Sequence, residues 1–153
     1  MMTVDHFVGG EGLLTPADAV VALIVLPNGR YVMQLRSQAP GIFYPGHWGL
    51  FGGAVEAGET PAEALARELD EELNLKDFNS QYFTEFKFDF GFRGIGWVYR
   101  KYFCIEVSED QRSRLELGEG SAIGDFDAPM ILKDLRVVPY DAFAIWSHAT
   151  QRA

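Results

Sequence analysis

Residues 53–75 read GAVEAGETPAEALARELDEELNL, and they carry the clearest local structure in the chain. Thr60 is a good N-cap, Pro61 takes the favoured first helical position, and Glu63 completes a capping box. The pattern predicts a helix over 61–73. Asn74 can end it, because Asn tolerates the left-handed backbone that a helix C-terminus often needs. On a helical wheel Ala62, Leu65, Ala66, Leu69 and Leu73 share one arc of about 100°, the expected buried stripe. Glu68, Glu71 and Glu72 stand at i, i+3 and i+4, so their carboxylates fall together on a neighbouring face. Like charges at that spacing cost about a few tenths of a kcal/mol per pair. They also crowd the last turns, where the helix dipole disfavours negative charge. A solvated acidic face is the ordinary explanation of such a cluster. A bound hard cation would account for the unfavourable placement, since Mg²⁺ takes oxygen ligands and shares them with phosphates and water.

Working outward, residues 18–26 (DAVVALIVL) are rich in Val and Ile and predict a strand. The turn PNGR follows, and 31–36 predict a second strand. Residues 37–46 carry two Pro and two Gly and read as a loop. A short strand over 48–51 then leads into Gly52-Gly53, where a bare backbone carbonyl can approach an ion. Beyond the helix, 81–90 and 97–107 read as strands flanking a loop at 91–96. A short strand is expected at 114–117 and a helix over 141–148 after Pro139. Strands and helices mix without regular alternation, which predicts an α/β fold with a mixed sheet and helices on its faces.

The 153 residues suit one domain spanning 1–153, with 1–14 as a flexible or edge segment. The start of the chain lacks the basic and apolar pattern of a signal peptide. The longest apolar run, 19–27, falls short of the roughly 20 residues a membrane span needs. A soluble protein with no membrane partner is expected. One cysteine, Cys104, permits no internal disulfide and suits a reducing cytoplasm; it reads as a small buried residue in a strand. A net charge of −9 argues against nucleic acid as the main partner. It does not argue against a phosphorylated small molecule, because a bound cation reverses the local sign of a site.

Residues 53–75 resemble the signature of the Nudix hydrolase family. Gly53, Glu59, Arg67, Glu68, Leu69, Glu71, Glu72 and Leu75 match it in order and spacing, a coincidence expected on the order of once in 10⁸ positions at ordinary residue frequencies. Asn74 departs, standing where the family usually has Gly. The resemblance implies the Nudix α/β/α sandwich and a pyrophosphohydrolase that cuts a nucleoside diphosphate linked to another group by attack of water. It implies Mg²⁺ (with Mn²⁺ as a substitute) held by Glu68, Glu71, Glu72 and the Gly52 carbonyl. It further implies that Arg67, paired with Glu59, orients the carboxylates, and that Glu68 is a candidate base with Glu72 more purely a ligand. Family members often add an acidic residue from outside the motif; Glu119 is the first candidate here and Glu116 the second. The resemblance also brings a homodimer into view, and a nucleotide-binding module without turnover is the alternative reading.

The substrate is less legible. Phe43, Tyr44, Trp48, Trp97 and Tyr99 can stack on a base, although aromatic residues on strands commonly serve the core. Arg36, ending the second strand, and Arg93, in GFRGIG, can reach phosphates, as can the backbone at Gly53. His47 is a further candidate beside the motif, whereas His148 and His6 read as surface residues. Nothing in the sequence separates a nucleoside triphosphate, plain or oxidised, from a nucleotide sugar.

Overall fold

The computed structural model describes residues 16–39, 41–118 and 120–152; the N-terminal segment 1–14 and Glu119 lie outside them. The centre of the fold is β1 (Ala19–Val25), buried at every position. Successive side chains of a strand face opposite ways, so Val20, Ala22 and Ile24 enter one apolar cluster and Val21, Leu23 and Val25 the other. A strand buried on both faces reads as a continuous apolar run, which is how AVVALIV reads.

The other strands are β2 (Tyr31–Leu35), β3 (Trp48–Gly49), β4 (Phe51–Ala54), β5 (Ser80–Asp89), β6 (Trp97–Glu106) and β7 (Ala122–Phe126). They form one mixed sheet in the order β3-β2-β1-β6-β5, with β4 against β1 and β7 against β2. β1 and β6 run parallel, and the remaining pairs are antiparallel. Helix α1 (Pro61–Leu73) covers one face. The other is covered by α3 (Ala128–Lys133) and α4 (Pro139–Arg152), and a short α2 (Glu109–Ser113) follows β6. No described helix is long and apolar enough to cross a membrane.

Several expectations need correction. The strand expected over 48–51 is split at Leu50 into β3 and β4. No strand forms over 114–117. Instead, Glu116 N–H donates to the Leu73 carbonyl (3.1 Å) and Gly118 N–H to that of Glu72 (2.8 Å), so this segment satisfies the open end of α1. The strand in that region is β7. The C-terminal helix is longer at both ends than 141–148, and α2 and α3 add to the predicted set. His148 is half-buried rather than on the surface: its Nδ1 lies 2.8 Å from the Tyr31 hydroxyl. Burial, followed by the Arg152 charge, pushes its pKa down. Cys104 sits in β6, half-buried, and burial raises its thiol pKa to about 11, so little reactive thiolate is present at neutral pH.

Candidate active site

Helix α1 starts and stops where its sequence directs. Thr60 accepts from Glu63 N–H (3.2 Å), and Glu63 accepts from Thr60 N–H (3.0 Å). At the other end Asn74 adopts the left-handed conformation (φ 54°, ψ 35°). Leu75 N–H then donates back to the Leu69 carbonyl (3.1 Å), closing the helix as a glycine would. Leu75 is buried in the core below it.

The buried stripe is not the one the wheel placed. Ala64, Leu65, Leu69 and Leu73 are buried, whereas Ala62 and Ala66 are exposed. The inward half of the helix therefore turns toward Ala64, and at about 100° per residue Glu68 and Glu72 fall between Ala64 and Leu65 within that half. Their carboxylates are carried inward against the sheet. Glu71 stays at the rim, its side chain 62% exposed against 14% for Glu68.

What receives these two carboxylates is the backbone of β4. Gly52 N–H donates to Glu72 Oε2 at 3.2 Å. At Gly53 a β-carbon would run into the Glu68 carboxyl group, so any side chain there would push the carboxyl out of its present place. Gly52 and Gly53 are themselves fixed by pairing with Val21 and Val20 of β1. The loss of side-chain volume at Gly53 and the inward turn of Glu68 are two halves of one fit.

Arg67 ties the acidic groups together. Its Nε donates to Glu59 Oε2 (2.7 Å) and one terminal nitrogen to Glu59 Oε1 (2.9 Å), a two-pronged contact. The other terminal nitrogen donates to Glu68 Oε1 (2.9 Å) and lies 3.6 Å from both Glu71 and Glu56. A bond to the Ala54 carbonyl (3.0 Å) anchors the guanidinium to the end of β4. The Arg67 hydrogen bonds, with one from Glu56 N–H, hold the Glu59 carboxyl at about 2. The Glu59 bond likewise raises the Arg67 pKa.

The donors suit a hard cation in kind: carboxylate oxygens beside a strand stripped of side chains. Among the described residues no three His, Cys, Asp or Glu side chains converge tightly enough to hold an ion as they stand. The Arg67 guanidinium lies between Glu59, Glu68 and Glu71.

Of the other predicted residues, Trp97 is 67% exposed and lines a hollow of about 400 Å³ with Asp18, Lys87, Val98 and Tyr99. Asp18 accepts from Tyr99 N–H, and its carbonyl accepts from Val55 N–H, so the hollow abuts the end of β4. Arg36 donates through Nε to the Phe43 carbonyl (2.6 Å), tying the end of β2 to that residue. Trp48 packs edge-on against Phe126, with 4.8 Å between ring centroids. Tyr44 is buried at a positive φ of 50° and stacks edge-on with His47. Arg93 ends a 3-10 turn, Gly91–Arg93. Glu119 lies outside the described residues, but Gly118 before it is bonded to the Glu72 carbonyl. A groove of about 1250 Å³ opens at the far end of the sheet, lined by Val25, Glu106, His148 and Arg152 among others, remote from the carboxylates.

The NUDIX domain family model matches residues 15–151. The nucleoside triphosphatase NudI of Enterobacter sp. (strain 638) is 46% identical over 54 residues, which is 35% of this chain and 38% of that protein. The similarity thus spans less than half of that relative's length. Among solved structures, a MutT protein from Methanosarcina mazei Go1 superposes with a TM-score of 0.72 at 22% identity, covering 89% of this chain and 94% of that one. The E. coli dihydroneopterin triphosphate pyrophosphohydrolase gives 0.69 at 20% identity, covering 90% and 98%. Identities this low establish the shared α/β/α fold with its mixed sheet.

Proposed function

We propose, from the premise that this chain belongs to the Nudix hydrolase family, that it is a Mg²⁺-dependent pyrophosphohydrolase of a nucleoside triphosphate or a related nucleoside diphosphate derivative. The observation that carries the reading is the fit of the Glu68 carboxyl into the space a side chain at Gly53 would fill. An acidic group turned into the core side of a helix and received by bare backbone is costly unless it has a charged partner. Arg67 supplies part of that charge. A divalent cation shared with the substrate would supply the rest.

Glu68, Glu71, Glu72 and the Gly52 carbonyl are the groups that would hold Mg²⁺. Bound there, the ion offsets diphosphate charge and makes water a better nucleophile. Glu68 lies against the strand and takes the proton from the attacking water, while Glu72 is fixed by Gly52 N–H as a ligand. Arg67 and Glu59 act on neither water nor substrate. They hold Glu68 in register and present Glu71 at the rim. Glu71 would have to swing in from its exposed position to join them, and Glu119 is the candidate acidic residue from outside the motif. The base stacks on Trp97, an exposed aromatic beside this end of the sheet, with Arg93 near the phosphates. Of the remaining predicted residues, Arg36 and Phe43 would act through their contact with each other before β3, and Trp48 through its packing of β3 on Phe126. The matched stretch of the NudI relative favours nucleoside triphosphates as the first substrates to try.

A hydrolysis screen over (deoxy)nucleoside triphosphates, oxidised nucleotides, ADP-ribose and nucleotide sugars, with Mg²⁺ and with chelator, tests the proposal. Metal-dependent release of phosphate, pyrophosphate or nucleotide is expected from the wild type. Tight nucleotide binding by calorimetry without turnover on any substrate would replace the hydrolase reading with that of a binding module.

A further inference from the structure

The face of the sheet opposite α1 contains a second carboxylate that the chemistry above does not use. Asp141, in the first turn of α4, is 1% exposed. Its Oδ2 accepts from Leu50 N–H at 3.0 Å. Its Oδ1 accepts from the Tyr102 hydroxyl at 2.8 Å and lies 3.4 Å from an Arg100 terminal nitrogen. Arg100 in turn donates to the Tyr102 hydroxyl (3.1 Å) and stacks over Tyr140, 4.2 Å from its centroid.

Leu50 is the residue at which the β3–β4 strand breaks, and its N–H bonds to Asp141 in place of a strand partner. The chain on either side is gripped by the same neighbourhood. Trp48 N–H donates to the Arg136 carbonyl (2.8 Å), and Val138 N–H donates to the Trp48 carbonyl (2.9 Å). A β-carbon on Gly49 would stand 3.2 Å from Asp141 Oδ2, so the strand runs directly over the carboxylate. Two residues beyond Leu50 lies Gly52, whose N–H meets Glu72, and then Gly53, which receives Glu68.

We propose that Asp141 is a positioning residue: held by Tyr102 and Arg100 of β6, it fixes the break at Leu50 and so sets Gly52 and Gly53 at the height that Glu68 and Glu72 require. This rests on the reading of those two carboxylates as the reactive ones. The carboxylate is suited to the task because it serves both of its sides at once. An amide in its place accepts from Leu50 or from the Tyr102–Arg100 side, but not from both. Asp141 reaches neither substrate nor metal, being sealed beneath the strand.

Asp141→Asn and Tyr102→Phe test this together. Amide hydrogen exchange is read by NMR at Leu50 and Gly52, with Val21 and Leu23 of β1 as the internal reference, alongside kcat and KM per folded molecule. In Asp141→Asn, exchange at Leu50 and Gly52 is expected to rise at least tenfold over the β1 reference, with kcat down about tenfold and KM within twofold. In Tyr102→Phe, which keeps the carboxylate, a rise of about threefold is expected. Should Asp141→Asn fail to fold, the Tyr102→Phe comparison decides alone. Exchange that rises equally at all four amides, or not at all, overturns the proposal. A wild type without turnover on any substrate sinks the hydrolase reading, and the exchange arm still judges Asp141 by itself.

Discussion

Two carboxylates lie against the same β3–β4 segment, one on each face of the sheet, and each stands beside a glycine. Glu68 meets Gly53 from α1, and Asp141 meets Gly49 from α4. Their surroundings differ in burial and in partners. Asp141 is sealed at 1% exposure and fully engaged by Leu50, Tyr102 and Arg100. Glu68 is less completely covered, its side chain 14% exposed, and its partner Arg67 is divided among several acidic groups. Donors surrounding a buried carboxylate lock a backbone in place. A carboxylate crowded with others of its sign favours a further cation, and under the proposed function that separates the structural acid from the reactive one.

The largest effect expected on the α1 side is chemical. Glu68→Gln should lower turnover by about 10² to 10⁴-fold, the usual worth of a positioned acid–base group, while leaving the melting temperature within a few degrees. On the sealed side the largest effect is on stability. Asp141→Ala strips a buried pair of one partner and should cost about 3–5 kcal/mol in urea unfolding. A large stability loss from Glu68→Gln with a small one from Asp141→Ala would reverse the comparison.

Gly53→Ala sharpens it further. The added methyl must displace the Glu68 carboxyl, and a misplacement of roughly 1 Å costs on the order of 10²-fold in rate. The protein should stay folded, with steady-state kinetics carrying the loss. Thr60→Ala, at the far end of α1 from the glutamates, should cost about 1 kcal/mol of thermal stability through the lost cap and leave kcat unchanged.

The smallest effect is in acid. The Glu59 carboxyl is held at about 2 in the fold against an ordinary 4.5. Its folded pKa is lowered, so its contribution is complete above about pH 4.5 and is lost as pH falls toward about 2. Acid unfolding of Glu59→Gln should therefore differ from wild type in slope only below about pH 4.5. Coincident curves below that pH would show the Arg67–Glu59 contact to be solvent-screened in solution.

The legibility of these two regions in the sequence follows from how local each is. Helix α1 could be read because its signals, Thr60, Pro61, Glu63 and Asn74, act within one turn of where they stand. Its orientation could not. A wheel centred on leucines puts Ala62 and Ala66 inside, whereas the fold buries Ala64 and the stems of Glu68 and Glu72, and that choice belongs to Gly53 across the interface. The missed helices left usable marks: Ser108 with Gln111 forms a capping box before α2, and Asp127 with Pro129 opens α3. The strand expected at 114–117 borrowed its alternation from Leu115 and Leu117, which pack on the core from irregular chain. Asp141 had no local signal whatever. Its partner Leu50 is 91 residues away, and only the completed sheet brings them together.

Binding of a divalent cation by the glutamates of α1 is the property on which the proposed chemistry depends most. Titration of Mn²⁺ followed by electron paramagnetic resonance, on wild type and on Glu72→Gln, addresses it without any assumption about substrate. Saturable binding at millimolar metal or below is expected of the wild type, weakened at least tenfold by Glu72→Gln with the fold intact. Equal binding by the two proteins, or none by either, would contradict it.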